Sequence, residues 1–371
     1  MFIALIFIMV LFQIITDGIL LRPLNITNLV MQNSYVLILA IGMVLIIIAG
    51  HIDLSVGSVV AFVGAISAVL SINMHLPTYL VFLIALAVGA VIGAWQGFWV
   101  AYVKIPAFIV TLAGMLIFRG LTMLILKGES LAPFPKSYQL VSSGFIPDIF
   151  KGDSINLFTI IVGLVCTIIY VLVEINGRKK VKKYNLETTS IGIFAAKIVL
   201  IACLINLFSY ILATYEGIPY ILVILVVLIL AYSFVMKRTT MGRKVYAIGG
   251  NANAASLSGI KTPHVTFWIF VNMGVLAALT GLVVAARLNA ATPKAGTNFE
   301  LDAIAACFIG GASAYGGIGT VGGAIVGALV MGVMNNGMSI LGLGIDWQQT
   351  IKGFVLLLAV AFDVYNKNKA V

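Results

Sequence analysis

The sequence predicts an all-α membrane protein, a polytopic bundle of about 10–12 transmembrane segments with two related halves and glycine-interrupted helices. Three observations carry this. Hydrophobic residues make up 62% of the 371 and charged residues only 9%, where a soluble domain has about 25% charged. Mean hydropathy is +1.15. Apolar runs recur along the chain at the length of roughly 20 residues that crosses a bilayer core.

Taken in order, the first run, 2–21, is apolar almost from its start. It has no charged leader and no small-residue cleavage site, so it predicts a retained span rather than a signal peptide. Runs at 33–50 and 54–72 predict the next two spans. The run at 78–103 carries Gly89, Gly93 and Gly97 at a four-residue spacing that lets helix backbones approach closely in lipid. After a span at 106–127 comes 128–153, with Pro133, Pro135 and Pro147. Its lysines (Lys127, Lys136, Lys151) are offset by Glu129, Asp148 and Asp153, so it reads as an outside loop. Spans are then predicted at 155–173, 190–212, 219–236, 264–286, 320–341 and 349–363. A further apolar piece, 303–312, is too short to cross. Residues 1–371 form one transmembrane domain, read as a first half 1–174, a basic cytoplasmic loop 175–189 and a second half 190–371.

The net charge of +10 is concentrated. Arg178, Lys179, Lys180, Lys182 and Lys183 form one cluster; Lys237, Arg238, Arg243, Lys244 and Lys261 form another, and Lys367 and Lys369 lie at the end. Loops of this kind are held in the cytoplasm by the positive-inside rule, so the basic balance orients helices and implies no nucleic acid. Cys166, Cys203 and Cys307 lie in apolar runs, which argues against a disulfide or metal framework.

Two interruptions break the apolar pattern. The first, Ala49 to Ser58, drops His51, Asp53 and Ser55 between hydrophobic runs bounded by glycine. The second runs from Glu300 and Asp302 through a short apolar piece into the glycine-rich stretch 310–323. Unwound backbone at membrane depth is tolerated only where protein or a water-filled cavity satisfies it, and paired interruptions of this kind line substrate paths in transporters. Asp53 is either a polar element of such a path or an N-cap for the helix starting near Leu54. His51 is more simply a packing histidine, and no second His or Cys stands at ligand spacing. Glu300 and Asp302 suit the first turn of a helix, where acids complement the dipole. Asn335 and Asn336 can bond across helices or meet a hydroxylated solute. His51, Asp53, Ser55, Asp302, Asn335 and Asn336 are the candidate path residues.

Gly317, Gly319 and Gly322 satisfy a G-x-G-x-x-G pattern, yet no strand precedes them and no acid follows at the distance a dinucleotide fold requires. Gly319, Gly323 and Gly327 repeat every four residues and read as helix packing. No phosphate-binding loop, zinc-protease motif or nucleophile elbow is present. The chain is therefore expected to have no catalytic residues, cofactor or metal, and to leave any ATP hydrolysis to another subunit.

The stretch 237–261 departs most from its surroundings. It is basic and rich in small residues, with Asn251 as an N-cap and Gly259 as a left-handed stop about two turns later. A helix that short is unstable alone and needs a surface to pack against. Held between spans at a membrane face, it reads as a docking surface for another protein.

Three stretches carry a resemblance that covers essentially the whole chain: Gly50 to Ser58, Tyr246 to Ile260, and Glu300-Leu301-Asp302-Ala303-Ile304-Ala305-Ala306 with Gly310-Gly311. They resemble the membrane permeases of bacterial monosaccharide ABC importers of the ribose, xylose and galactose type. The basic loop near 174–189 and the ending Asp346-Trp347-Gln348-Gln349 through Ala361-Phe362-Asp363-Val364-Tyr365 are most similar to xylose or multiple-monosaccharide permeases. His51 stands where Gly or Asn is expected in many such relatives. The resemblance implies a multi-pass protein of the cell (inner) membrane that conducts sugar by alternating access, as a dimer of permease copies. Its partners would be ABC ATPase subunits inside and a sugar-binding protein outside. It also implies that the loop holding Tyr246, Gly249, Gly250, Asn251, Ala255, Ser258 and Gly259 is the coupling helix seated in the ATPase. The alternative is a stand-alone ion- or proton-coupled carrier with Asp53 or Asp302 moving the proton; a membrane enzyme using His51 and Asp53 lacks a nucleophile or metal set.

Overall fold

A computed structural model of the chain describes residues 2–150, 155–184 and 190–369. Lys151 and Asp153 of the outside loop, and residues 185–189 of the basic stretch, lie outside the described residues, as do the side chains of Phe362, Asp363 and Tyr365. Among the described residues the protein is all-helical, with fifteen α-helices and one π-helical turn. Among the described residues, nine helices are long and apolar enough to cross a membrane. The chain divides into two compact units: residues 1–20, 29–144 and 221–371, and residues 21–28 with 145–220.

In the larger unit, α1 (Phe2–Ile15) is shorter than the predicted 2–21. Asp17 and Gly18 both adopt positive φ and stop it after 14 residues, about 21 Å of helix against a hydrocarbon core of about 30 Å. Helix α2 (Pro23–Ile48) begins ten residues earlier than the predicted span at 33. Its polar first turns, Asn25 to Gln32, hide the start from a hydropathy reading, while Pro23 suits a first helical turn, where no N–H is needed. After the interruption come α3 (Val56–Ala68), continued by a π-helical turn over Val69–Asn73, then α4 (Thr78–Ala101) and α5 (Ala107–Leu126). The outside loop contains a short helix, α6 (Lys136–Ser143), that the sequence reading did not resolve.

The last part of this unit is α9 (Tyr220–Arg238), α10 (Thr240–Gly250), α11 (Ala252–Leu257), α12 (Thr262–Leu288), α13 (Phe299–Ile309), α14 (Val321–Ile340) and α15 (Ile345–Lys369). Helix α13 replaces the predicted piece at 303–312 and, at 11 residues, reaches about 16 Å. Helix α15 is longer than the predicted span 349–363.

Glycine decides how the core packs. On α4, a Cβ at Gly89, Gly93 or Gly97 would strike the backbone of α12 at Gly274, Phe270 and Phe267 respectively. The four-residue spacing read from the sequence is thus a seam of direct backbone contact. A second seam joins α13 to α14, where Gly310 meets Gly323 and Ala306 meets Gly327.

Contacts within this unit also sort helix ends to two faces. At one face, Tyr138 of α6 donates to Ser67 (2.9 Å), Asn289 accepts from the Phe134 N–H (2.8 Å), and Leu131 pairs with Ala291. At the other, the ends of α2 and α4 meet the start of α12, where His51 tilts on Phe270 and Tyr102 on Phe267, and the end of α2 meets α10, where Gly249 abuts Ile48. The second face carries Lys237, Arg238, Arg243, Lys244 and Lys261, the residues that the positive-inside rule predicts for the cytoplasmic side.

The smaller unit is a hairpin of α7 (Leu157–Lys183) and α8 (Ile191–Ala213). Asn156 caps α7 by accepting from the Thr159 N–H, and Asp148 accepts from the N–H groups of Leu157 and Phe158. Asn206 donates to Thr167, Lys197 pairs with Glu174 at 2.7 Å, and Arg178 stacks over Phe194. Residues 175–183 of the predicted basic loop are therefore the last turns of α7, and Lys180, Lys182 and Lys183 complement its C-terminal dipole.

Candidate functional site

The two interruptions, some 260 residues apart in sequence, pack against each other. The Gly317 N–H donates to the Ile48 carbonyl at 2.8 Å. Gly57, in the first turn of α3, lies against Gly296, and a Cβ on Gly57 would overlap the Gly296 carbonyl and the Glu300 carboxylate. The start of α3 and the approach to the start of α13 thus share one junction. Arg119 gives its depth: it follows about 18 Å of α5, and its Nη1 donates to the carbonyls of Pro293 (3.0 Å) and Ala295 (2.7 Å). Two carbonyls of the segment 290–298 are thus satisfied by an arginine some way into the span, the kind of compensation that irregular backbone at membrane depth requires. Half-helix N-termini meeting at mid-depth are the arrangement from which transporters build solute sites.

Around this junction the candidate residues separate into clusters. Asp53 is 1% exposed; its Oδ1 accepts from the Ser55 N–H (2.8 Å) and the Ser55 hydroxyl (2.6 Å), and Gln96 of α4 donates to that hydroxyl at 2.7 Å. The expected helix cap is thereby displaced. Ser55 occupies the N-cap position of α3 with no side-chain cap bond, and Asp53 holds the turn before it.

Asp302 and Asn335 are brought together through Tyr35 of α2. The Tyr35 hydroxyl donates to Asp302 at 2.6 Å, Asn335 donates to that hydroxyl at 3.4 Å, and the Tyr35 ring stacks on Phe299. Lys352 of α15 completes the cluster with a 3.0 Å ion pair to Asp302. Asp302 is thus a paired internal charge as well as a first-turn acid of α13. Glu300, the other first-turn acid, lies within electrostatic reach of Arg119, Asp302 and Asp53. Asn336 is buried on α14. His51 is not brought to Asp53; it packs on Phe270 and, with Lys104, lines a cavity of about 460 Å³.

The 237–261 stretch holds two helices, not one. Tyr246, Gly249 and Gly250 belong to α10, which Thr239 caps by accepting from the Gly242 N–H. Tyr246 donates to the Gly319 carbonyl at 2.7 Å, and Gly249 touches Ile48 and Gly317, so these two face the protein. Helix α11 is capped as the sequence predicts. Asn251 Oδ1 accepts from the Ala254 N–H at 2.9 Å. Gly259 has φ +84, with Gly259 N–H to Ser256 and Ile260 N–H to Ala255, the paired bonds of a Schellman stop. Gly250, Asn251, Ser258 and Gly259 are exposed. Ala255, expected at the docking surface, is 5% exposed and packs inward, while its neighbour Leu257 is 91% exposed. Two residues of helix, about 200° of rotation, separate their directions.

Five residues escaped the sequence reading: Tyr35, Gln96, Arg119, Lys352 and Leu257. Arg119 was legible in principle, since it is a lone cation inside an apolar run, and Lys352 as the one cation in the predicted span 349–363. Tyr35, Gln96 and Leu257 carry no local signal.

A model of the family described as branched-chain amino acid transport system / permease component matches residues 25–360. A xylose transport system permease protein of Haemophilus influenzae is 42% identical over 369 residues, covering 100% of this chain and 96% of that protein. Its counterpart in Escherichia coli is 38% identical, covering 99% and 91%. A ribose import permease protein of Haemophilus influenzae is 34% identical, covering 92% and 85%. No solved structure matches the chain. A family model spanning nine-tenths of the sequence, full-length relatives and a bundle of membrane-length helices agree: the chain belongs to the branched-chain amino acid transport system / permease component family, as a multi-pass membrane permease.

Proposed function

We propose that this protein is the membrane-spanning permease of an ATP-driven monosaccharide importer, with xylose or a related sugar as its substrate. The observation that carries the reading is α10–α11, a rigidly capped projection on the basic face that ends in an exposed leucine. Its inner side is fastened to the interrupted helices through Tyr246 and Gly249. An ABC ATPase that grips Leu257 and the exposed residues around it would move α10, and through it the ends of α2 and the 316–319 loop. The path then alternates between outward and inward openings. Two permease copies enclose it, and a sugar-loaded binding protein delivers substrate from outside. The two halves, 1–174 and 190–371, each supply one interrupted segment, which supports their reading as related repeats. With hydrolysis assigned to the ATPase, the chain itself is a transport subunit without catalytic residues.

The test is reconstitution into liposomes with its ATPase and binding protein. Labelled xylose should accumulate only when ATP and both partners are present. Accumulation by the permease alone on a proton gradient, abolished by Asp302→Asn, would instead establish a secondary carrier.

A further inference from the structure

Helix α7 is longer than a membrane is thick. With Leu157 at one edge of a hydrocarbon core of about 30 Å, the helical rise of about 1.5 Å per residue puts the other edge near Gly177. Asn156 and Asp148 cap the helix at the first edge. Arg178, Lys179, Lys180, Lys182 and Lys183 occupy the next roughly 9 Å beyond the second, about the depth of the headgroup layer.

These cations are in surplus. Glu174 is already paired with Lys197 at 2.7 Å, and none of the four lysines meets a carboxylate among the described residues. From Glu174 to Lys197 the sequence holds six cations against two acids, Glu174 and Glu187, so the local charge is positive. Lys179, Lys182 and Lys183 stand three and four residues apart on one helix face, where like charges repel. Arg178 turns back over the Phe194 ring, which leaves the lysines to face outward.

Burial shows what adjoins them. Among the described residues, α7 buries Thr159 and Gly163 and α8 buries Leu212 and Ala213, all toward the opposite end of the hairpin. At the basic end Ile191 is 76% exposed and Tyr184 74%. Apolar and tyrosine side chains exposed beside a row of lysines suit the boundary between acyl chains and headgroups.

We propose that the last turns of α7 hold anionic phospholipid headgroups. The ammonium groups of Lys179, Lys180, Lys182 and Lys183 donate to headgroup phosphates, while Tyr184 and Ile191 rest on the adjoining glycerol and acyl region. Four to eight cations immediately beyond a span attract anionic lipid in this way. An anionic neighbour also offsets the repulsion among the lysines. The site does not depend on what the permease carries.

The experiment places a polar fluorescent maleimide on Tyr184→Cys in the full-length chain, reconstituted in vesicles of phosphatidylglycerol and phosphatidylcholine. Cys166 and Cys203 lie within the apolar parts of α7 and α8 and Cys307 is buried, out of reach of such a reagent. Phosphatidylglycerol spin-labelled near its headgroup should quench about fivefold more than phosphatidylcholine labelled alike, on the scale of one lysine's attraction to an anionic surface. The preference should vanish when Lys179, Lys180, Lys182 and Lys183 are all changed to Gln. It should vanish equally in about 1 M salt, where charges are screened beyond about 3 Å. If the fourfold variant does not insert, Lys182→Gln with Lys183→Gln decides, with a fall of about twofold expected. Equal quenching by both lipids with all lysines present, or a preference that survives their replacement, overturns the proposal. So does a preference lost when the ATPase is added, which would give the cluster to that protein.

Discussion

Gly249 of α10 lies directly against the carbonyl oxygen of Ile48, the last residue of α2, with no room for a side chain between them. The same carbonyl accepts the Gly317 N–H, and Tyr246, one turn earlier on α10, bonds the Gly319 carbonyl. Three segments distant in sequence thus meet through backbone. Backbone contact does not yield as a flexible side chain does, so a side chain added at this junction has no room to be accommodated.

Gly249→Val should therefore disrupt this junction. Overpacking of this kind destabilises by about 1–3 kcal/mol, read as a lower unfolding midpoint in detergent together with loss of ATP-dependent import. Gly250→Ala, one residue on, meets nothing within 4 Å and should match the unaltered protein in both measurements.

Leu257→Asp replaces the exposed tip of α11. The protein should fold normally, with stability within about 0.5 kcal/mol, as for surface changes generally. Co-purification with the ATPase should be lost. Ala255→Trp should behave differently and lower stability, because Ala255 packs inward. Equal ATPase binding by Leu257→Asp and the unaltered chain would remove α11 from the docking surface.

The two faces of the larger unit predict opposite labelling. A membrane-impermeant maleimide should modify Ser258→Cys on α11 only in inside-out vesicles, and Ser137→Cys on α6 only in intact cells or right-side-out vesicles. Reaction of Ser258→Cys in intact cells would reverse the assigned orientation, and with it the side on which an ATPase could bind.

Removing one partner of the Asp302–Lys352 pair should be worse than removing both. Their side chains are 4% and 22% exposed, and a single buried charge left without its partner costs about 3–5 kcal/mol. Lys352→Met alone should lower the unfolding midpoint strongly. Asp302→Leu combined with Lys352→Met should recover much of the loss. Simple additivity of the two changes would mean that the pair is not coupled.

Much of this was legible because it depends on neighbours in sequence. Asn251 and Gly259 specify the α11 caps by their own chemistry, and the Gly89–Gly93–Gly97 spacing predicts a close helix seam whatever its partner. The interior of α10 was missed because its small and basic residues resemble a loop. The last turns of α7 were missed because a charge cluster ends a hydropathy run before the helix itself ends.

Sequence alone determined the membrane class, the positions of most spans and the capped projection, since each follows from local composition. Tertiary structure alone decided that Gly249 meets Ile48, that Ala255 turns inward while Leu257 turns out, and that Asp302 pairs with Tyr35 and Lys352. The reason is physical. A soluble helix announces its buried side by an apolar stripe, but a helix in lipid is apolar all round. Its rotation, and so its neighbours, are set only when the helices pack.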